Sequence, residues 1–202
     1  MNGYDICNQD MNNWIKVFQE WILKIETYCE RTLDSIYTHG ERANVALLLS
    51  SAWISNCVGS MEIPFYPNEG GRLDIDLWIQ FPSSQGDKKE LIEAKFDWFE
   101  NLSKEKTIEK ANNKLNETYH DISKKYSYGG RPLGIVFCCP TFTKTTLDEL
   151  KVNIQDSLQA FREVQKDAMA YCFPRKQLTI DGEHYRNIIC PGVVALLKEF
   201  SE

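Results

Sequence analysis

The amino-acid sequence predicts an α/β fold built on a mixed central sheet. Short apolar runs of strand length alternate with longer segments whose apolar residues recur every three or four positions. In the middle of the chain, a helix is followed by three consecutive strands, a second helix and a further strand. The 202 residues, 43% of them hydrophobic, suffice for one domain with a sizeable core. We expect an N-terminal helical arm at 1–39, a core at 40–140 and C-terminal additions at 141–202.

The arm contains an amphipathic helix, predicted over residues 11–37. Trp14, Phe18 and Trp21 recur at helical spacing and begin an apolar stripe along one face. Such a stripe packs on its own domain, on a second copy of the chain or on a partner protein, and the sequence leaves these alternatives open. A second helix, predicted over 41–56, is apolar almost all round and should be buried.

The most informative stretch lies at 70–96 and contains two predicted strands. Apolar and other residues alternate over 73–79, which places Leu73, Ile75, Leu77 and Ile79 on one face. The other face carries two acidic side chains. If the strand pairs as a hairpin with the run at 91–96, opposite residues lie roughly 5 Å apart. The polar residues brought together in this way are Asp74, Asp76, Glu93 and Lys95.

These residues resemble the signature of the PD-(D/E)xK, or restriction-endonuclease-like, nuclease superfamily, without identifying a subfamily. The signature has an acidic residue on one strand and (D/E)xK on the next. Asp74 matches the first position, with Leu73 in place of the usual proline, and the run from Glu93 to Lys95 matches the second. Asp76 is the alternative to Asp74. The resemblance implies that two carboxylates bind Mg²⁺ or Mn²⁺, which suit hard oxygen ligands, and that Lys95 orients the attacking water or stabilises charge.

The resemblance further implies the superfamily's αβββαβ core over about 41–139 and two additional site residues. The helix before the sheet often carries a metal-binding glutamate, and Glu41 matches it, although a glutamate also suits a helix N-terminus electrostatically. The helix after the third strand often carries a polar residue that faces the site, and Lys114 is the nearest match. The implied activity is metal-dependent hydrolysis of phosphodiester bonds, with DNA as the expected substrate.

A row of lysines marks the helix predicted over 104–126. Lys106, Lys110 and Lys114 fall at four-residue intervals, which predicts a track for backbone phosphates. The alternative is a solvated face whose charge is balanced by neighbouring glutamates. The net charge of −6 opposes a simple nucleic-acid binder. Two further hypotheses therefore stand beside the nuclease: a catalytically silent scaffold of the same fold, and a nuclease subunit of an antiviral defence complex whose partner chain supplies nucleic-acid affinity.

The C-terminal third predicts further strands and helices around the same sheet. The apolar run at 133–139 should be a central strand that Pro140 ends. The elements predicted after it are a helix at 146–166, a strand at 168–173, a strand and turn at 175–182, a short strand at 185–190 and a terminal helix at 193–200.

Composition also bounds the compartment of the protein. No apolar run approaches the roughly 20 residues that a membrane span needs, and no signal-peptide pattern precedes the first helix. The seven cysteines include no C-x-x-C pair, and most sit within apolar runs. We therefore expect a cytoplasmic protein whose cysteines are reduced core residues.

Overall fold

A computed structural model describes residues 1–32, 34–65, 73–82, 87–123, 129–143, 145–175 and 188–200. These residues form four α-helices and eight strands, which confirms the predicted α/β class and mixed sheet. The helices are α1 (Trp14–Thr32), α2 (Glu41–Ile54), α3 (Lys104–Ser123) and α4 (Leu147–Glu163). The strands are β1 (Asn2–Ile6), β2 (Val58–Phe65), β3 (Leu73–Phe81), β4 (Lys88–Glu100), β5 (Arg131–Thr143), β6 (Ala168–Cys172), β7 (Ile188–Ile189) and β8 (Val193–Glu199).

The sheet has the spatial order β1-β6-β8-β5-β4-β3-β2, and β7 pairs with the end of β5. Only the β4–β5 pair is parallel among the pairings of the described strands. This parallel pair lies at the centre of the sheet, and α3 supplies the crossover between its two strands. The predicted order of helix, three strands, helix and strand is observed from α2 to β5.

The main hydrophobic core lies between the sheet and the first two helices. Helix α1 is shorter than the predicted 11–37 and is followed by a separate 3-10 turn at Ile36–His39. Its apolar stripe is buried within the chain itself, so the stripe serves the core. A contact with a second copy or a partner through this helix stays a prediction. The buried residues of the stripe are Trp14, Val17, Phe18, Trp21, Ile25 and Cys29.

Helices α3 and α4 cover the opposite face of the sheet and form a second core with it. One close approach fixes the position of α3. A Cβ atom added to Gly134 of β5 would lie 1.9 Å from Oγ1 of Thr118, which is fully buried on α3. Only a glycine leaves room for the helix at this point. Gly134 lies beside Glu93 in the parallel register, so α3 approaches the sheet next to a predicted site residue.

Two predictions of secondary structure are wrong. The terminal helix predicted at 193–200 is strand β8, which lies between β5 and β6 and is covered on both faces. A strand buried on both faces shows a continuous apolar run, which periodicity cannot distinguish from a buried helix segment. Strand β5 also continues past Pro140. Its pairing with β8 ends at Cys138 and its pairing with β7 begins at Phe142, so the proline lies between two antiparallel partners.

Some predictions fall on the ends of the described ranges. The strand and turn predicted at 175–182 lie almost entirely outside the described residues, and only β7 is described from the strand predicted at 185–190. The sequence did not predict β1, because this short edge strand has no apolar alternation. All seven cysteines are reduced, and five of them are buried. In the described ranges, no helix combines the length and apolar character of a membrane span.

Candidate active site

The site begins where strand β3 separates from strand β4. The two strands pair from Phe81 opposite Lys88 to Leu77 opposite Ile92. From that point β4 continues beside β5 as far as Glu100, and the described part of β3 no longer follows it. The sheet therefore forks, and the β3 side of β4 is left without a backbone partner from this strand.

A carboxylate takes the place of the missing backbone partner, and a second carboxylate lies beside it. The Ala94 N–H donates a hydrogen bond to Oδ2 of Asp76, with an N to O distance of 2.8 Å. The carboxylate of Glu41, the first residue of α2, lies near the Phe96 N–H. Alternate residues of a strand present their N–H groups to the same neighbour, so these two donors belong to one edge. The fork thus holds an aspartate and a glutamate side by side along β4.

Departure of β3 also changes which way its side chains point. Leu77 and Ile79 join the main core, as the alternation predicts, but Ile75 packs with Leu91 and Phe200 in a separate cluster on the α3 side. The prediction of one uninterrupted apolar face is therefore wrong at Ile75. The side chain of Leu73 lies outside the described residues. Because the residues of β3 that precede Leu77 stay paired with β2 but not with β4, the carboxylate of Asp76 reaches the edge of β4.

Strand β4 supplies the next two residues of the site. Glu93 and Lys95 share the face that is turned toward α3, as the alternation predicts, and Glu93 is only 5% exposed. The Lys95 Nζ lies 3.3 Å from Oε1 of Glu93 and 3.0 Å from Oδ2 of Asp121 on α3. Both ion pairs are partly withdrawn from water. The Lys95 ammonium therefore lies between a carboxylate of its own strand and one of the facing helix.

A cavity of about 550 Å³ lies next to the fork, between α2 and strands β2 and β3, and Glu93 and Lys95 of β4 are not among its lining residues. Both candidate aspartates line it, with Asp74 exposed and Asp76 half-buried. Arg42 lies on the α2 side and its Nε is 3.0 Å from Oε1 of Glu62 on β2. Glu62 has a left-handed backbone, with φ of 53°, which is uncommon for a residue other than glycine. The lining residues are Glu41, Arg42, Val45, Met61, Glu62, Asp74 and Asp76.

The charges of the site influence one another. Burial, and then the charge of Asp76, raises the pKa of Glu41 above its ordinary value, although the charge of Lys95 acts in the opposite direction. Burial disfavours the charged form of Lys95, but the hydrogen bond to Asp121 and the charges of Glu93, Asp121 and Glu41 raise its pKa above that of a free lysine. Lys95 is therefore an ammonium at neutral pH. It can stabilise negative charge but cannot accept a proton.

The donor set suits a hard divalent cation. Asp76, Glu41 and Glu93 offer carboxylate oxygens, which Mg²⁺ and Mn²⁺ prefer. Mg²⁺ usually keeps several waters and takes only one or two protein carboxylates, so a complete cage is not required. Across the described part of the chain, no three His, Cys, Asp or Glu side chains already form a metal-binding group.

Two of the lysines predicted to bind phosphates are paired within the protein. The Lys110 Nζ lies 3.1 Å from Oδ1 of Asp97, and the Lys114 Nζ lies 3.8 Å from Oδ2 of the same residue and 2.7 Å from Oε2 of Glu117. Lys106 is exposed on the same helix. Lys114 thus faces Asp97 and Glu117 on the β4 side of α3.

The α3 residue that contacts Lys95 is Asp121, which the sequence did not single out. Asp121 lies seven residues after Lys114 and four after Glu117, so all three share one helical face. That spacing is the signal that could have identified it. The motif from Glu93 to Lys95 does not include Asp121, because the contact joins strand β4 to helix α3, which lies further along the chain.

Comparisons of the chain with protein-family models, with curated proteins and with solved structures found no match. The α/β fold with its mixed sheet is observed directly in the structure and does not depend on a match to a known protein. Assignment to the PD-(D/E)xK superfamily is accordingly a proposal, which rests on the residues at the fork.

Proposed function

We propose that the protein is a metal-dependent nuclease of the PD-(D/E)xK type that hydrolyses phosphodiester bonds, with DNA as the expected substrate. The observation that carries this proposal is the fork between β3 and β4. There Asp76 accepts a hydrogen bond from the Ala94 N–H on the edge of β4, and the Glu41 carboxylate lies near the Phe96 N–H of the same edge. Glu93 and Lys95 project from the same stretch of strand. Carboxylates next to a fixed ammonium suit a reaction in which negative charge develops on a phosphate.

Each residue has a distinct role in this proposal. Asp76, Glu93 and Glu41 would hold one or two Mg²⁺ or Mn²⁺ ions between them, and the Ala94 hydrogen bond supports Asp76 over Asp74 as the aspartate ligand. The bound ion would lower the pKa of a coordinated water and offset charge on the phosphate. Lys95 presents its ammonium to the phosphate oxygens. The Ala94 N–H orients the carboxylate of Asp76 before the ion binds.

Metal binding should raise the melting temperature of the protein, and the response should depend on Asp76. At an ion concentration about 100-fold above Kd, the native state gains about 2.7 kcal/mol, or roughly 5–10 °C for a chain of this size. Asp76→Asn should remove most of this increase, because an amide is a much weaker ligand than a carboxylate. Asp74→Asn should keep most of it. Calorimetry in Mg²⁺, Mn²⁺ or EDTA measures both responses.

Asp74→Asn is the matched control, because it removes the same charge from the same strand and the same cavity. Loss of the response in Asp74→Asn alone would assign the ligand role to Asp74. A wild-type protein whose melting temperature does not respond to either ion would contradict the metal site itself.

The lysine row should contribute unequally to DNA binding. Lys106→Gln should reduce the slope of log affinity against log salt concentration by about 0.9, the value for one phosphate contact. Lys110→Gln and Lys114→Gln should reduce it by less, because Asp97 already balances their charge. Anisotropy titrations of a labelled duplex over a range of salt concentrations measure the slopes. Equal reductions of about 0.9 in all three variants would show that both lysines leave Asp97 for the phosphates.

The second candidate function is a scaffold that uses the fold without catalysis, and one observation favours it. Lys95 pairs with Asp121, and the adjacent Asp97 pairs with Lys110 and Lys114, so β4 and α3 are joined by a ladder of opposite charges. In a scaffold, these ion pairs only stabilise the packing of α3 against β4. The scaffold predicts no metal response and no cleavage.

The third hypothesis is a nuclease subunit of a defence complex. Such a subunit should show the metal response but should need a partner chain for affinity to DNA. The net charge of −6 favours this need for a partner.

A further inference from the structure

Asp121 is placed beside the site by a close contact between α3 and the sheet. Thr118, one helical turn before Asp121, packs against Gly134, and Gly134 lies beside Glu93 in the β4–β5 register. The next residue after Asp121, Ile122, is fully buried. Asp121 therefore belongs to a turn of helix that is fixed against the very strand pair that carries Glu93.

The contact of Asp121 with Lys95 is shorter than that of Glu93 with the same ammonium, 3.0 Å against 3.3 Å. Asp121 is itself 39% exposed, whereas Glu93 is 7% exposed at its side chain and Lys95 is 24% exposed. A lysine side chain has many rotamers, and one carboxylate two residues away on its own strand does not select among them. The second carboxylate, on a different element, defines where the ammonium lies.

We infer that Asp121 is a positioning residue, which holds the Lys95 ammonium beside Glu93 and so keeps it directed at the phosphate that the site binds. This inference rests on the proposed nuclease function. In this role Asp121 acts through Lys95. Its effect should appear in the rate of the chemical step, because it acts on a group that stabilises charge during the reaction.

The test compares Asp121→Ala and Asp121→Asn with Glu117→Ala, the matched control. Glu117 lies one turn earlier on the same face of α3, and its carboxylate pairs with Lys114, not with Lys95. Asp121→Ala should lower kcat for a linear DNA duplex by about 10- to 100-fold with little change in KM. Asp121→Asn should recover part of the loss, because the amide oxygen still accepts from the ammonium. Glu117→Ala should leave kcat unchanged.

A second readout follows Lys95 without any nuclease activity. Acetylation by an N-hydroxysuccinimide ester, mapped by peptide mass spectrometry, should be about two- to fivefold faster at Lys95 in Asp121→Ala, the equivalent of one lost, partly exposed ion pair. Lys151 on α4 serves as the internal reference, since its partner is Asp148. Glu117→Ala should leave the rate at Lys95 unchanged.

The outcomes separate this inference from the function on which it rests. Equal kcat losses in Asp121→Ala and Glu117→Ala, or an unchanged kcat with an unchanged labelling rate at Lys95, would overturn the positioning role. A wild-type protein that cuts no nucleic acid would overturn the nuclease. In that case the acetylation rate of Lys95 in Asp121→Ala alone decides whether Asp121 holds Lys95. An unchanged rate would overturn the positioning role as well.

Discussion

Glu93→Gln should lower the rate of DNA cleavage by more than about a hundredfold, since residues that merely orient metal ligands already account for 10- to 100-fold. The substitution keeps the shape of a side chain that is only 5% exposed, so the fold should survive. It removes a negative charge that a divalent cation needs. The variant should therefore lose both cleavage and the rise in melting temperature that Mg²⁺ or Mn²⁺ produces.

Lys95→Ala should lower cleavage to a similar extent, about 10²- to 10³-fold, by a different route. The ammonium neutralises charge on the phosphate but is not a ligand, so the rise in melting temperature with metal should remain. Removal of a positive charge next to Glu93 should even favour the ion. Cleavage assays paired with calorimetry on the two variants measure the difference. Full activity of Lys95→Ala, or an intact metal response in Glu93→Gln, would contradict the roles assigned here.

The sequence predicts those features of the site that depend on local alternation. Glu93 and Lys95 lie two residues apart in a strand, so any extended conformation places them on one face. Helix α2 begins at Glu41, where the break at Gly40 predicts it, and Gly40 adopts a φ of 90° that few other residues tolerate. These parts of the site need no knowledge of the rest of the chain.

The features that the sequence does not predict depend on contacts between distant segments. Period-two alternation treats Asp74 and Asp76 alike, and the fork at Leu77 alone distinguishes them. The contact of Asp121 with Lys95 depends on the close approach of α3 to the sheet. The row of lysines on α3 likewise predicts phosphate binding. Only the structure shows that Asp97 of the facing strand β4 pairs with two of these lysines. In each case, the deciding partner comes from another element of the fold.

The same distinction explains strand β8. Its apolar run fits a helix and a strand equally well when read alone. Strands β5 and β6 offer backbone groups on both sides of it, and hydrogen bonding to both decides in favour of the strand. Val193 and Val194 are β-branched and agree with that outcome. Tertiary pairing, and not local propensity, therefore fixes the C-terminal end of the described chain.

A buried ion pair lies at the start of β4 and joins several elements of the fold. The carboxylate of Glu90 is fully buried, pairs with the guanidinium of Arg131 on β5, and accepts hydrogen bonds from Trp14 Nε1 at 2.7 Å and Asn13 Nδ2 at 3.1 Å. Arg131 also lies 3.2 Å from Glu199 on β8. Helix α1 and three strands of the sheet thus meet at one charge pair.

Arg131→Met should lower the free energy of unfolding by about 3–5 kcal/mol, because it leaves the Glu90 carboxylate buried without its counter-charge. Glu199 also loses a partner, but its side chain is 29% exposed and water can solvate it. Adding Glu90→Gln should recover much of the loss, because the amide keeps an acceptor for the Trp14 indole and carries no charge. Urea unfolding of wild type, both single variants and the double variant measures the coupling between the two sites.

The loss in Arg131→Met should also depend on pH. Burial raises the pKa of Glu90 above its ordinary value even in the wild type, although the charge and hydrogen bonds of Arg131 oppose this. Without Arg131 the pKa of Glu90 should rise further. A carboxyl whose pKa is higher in the folded state binds more protons there, so its contribution to stability falls as pH rises through that interval. The difference in free energy of unfolding between wild type and Arg131→Met should therefore be small below the ordinary glutamate pKa of about 4.3. It should reach its full size above the raised pKa of Glu90 in the variant. A deficit of the same size at every pH, also present in the double variant, would mean that Arg131 stabilises the fold by packing and not by its charge.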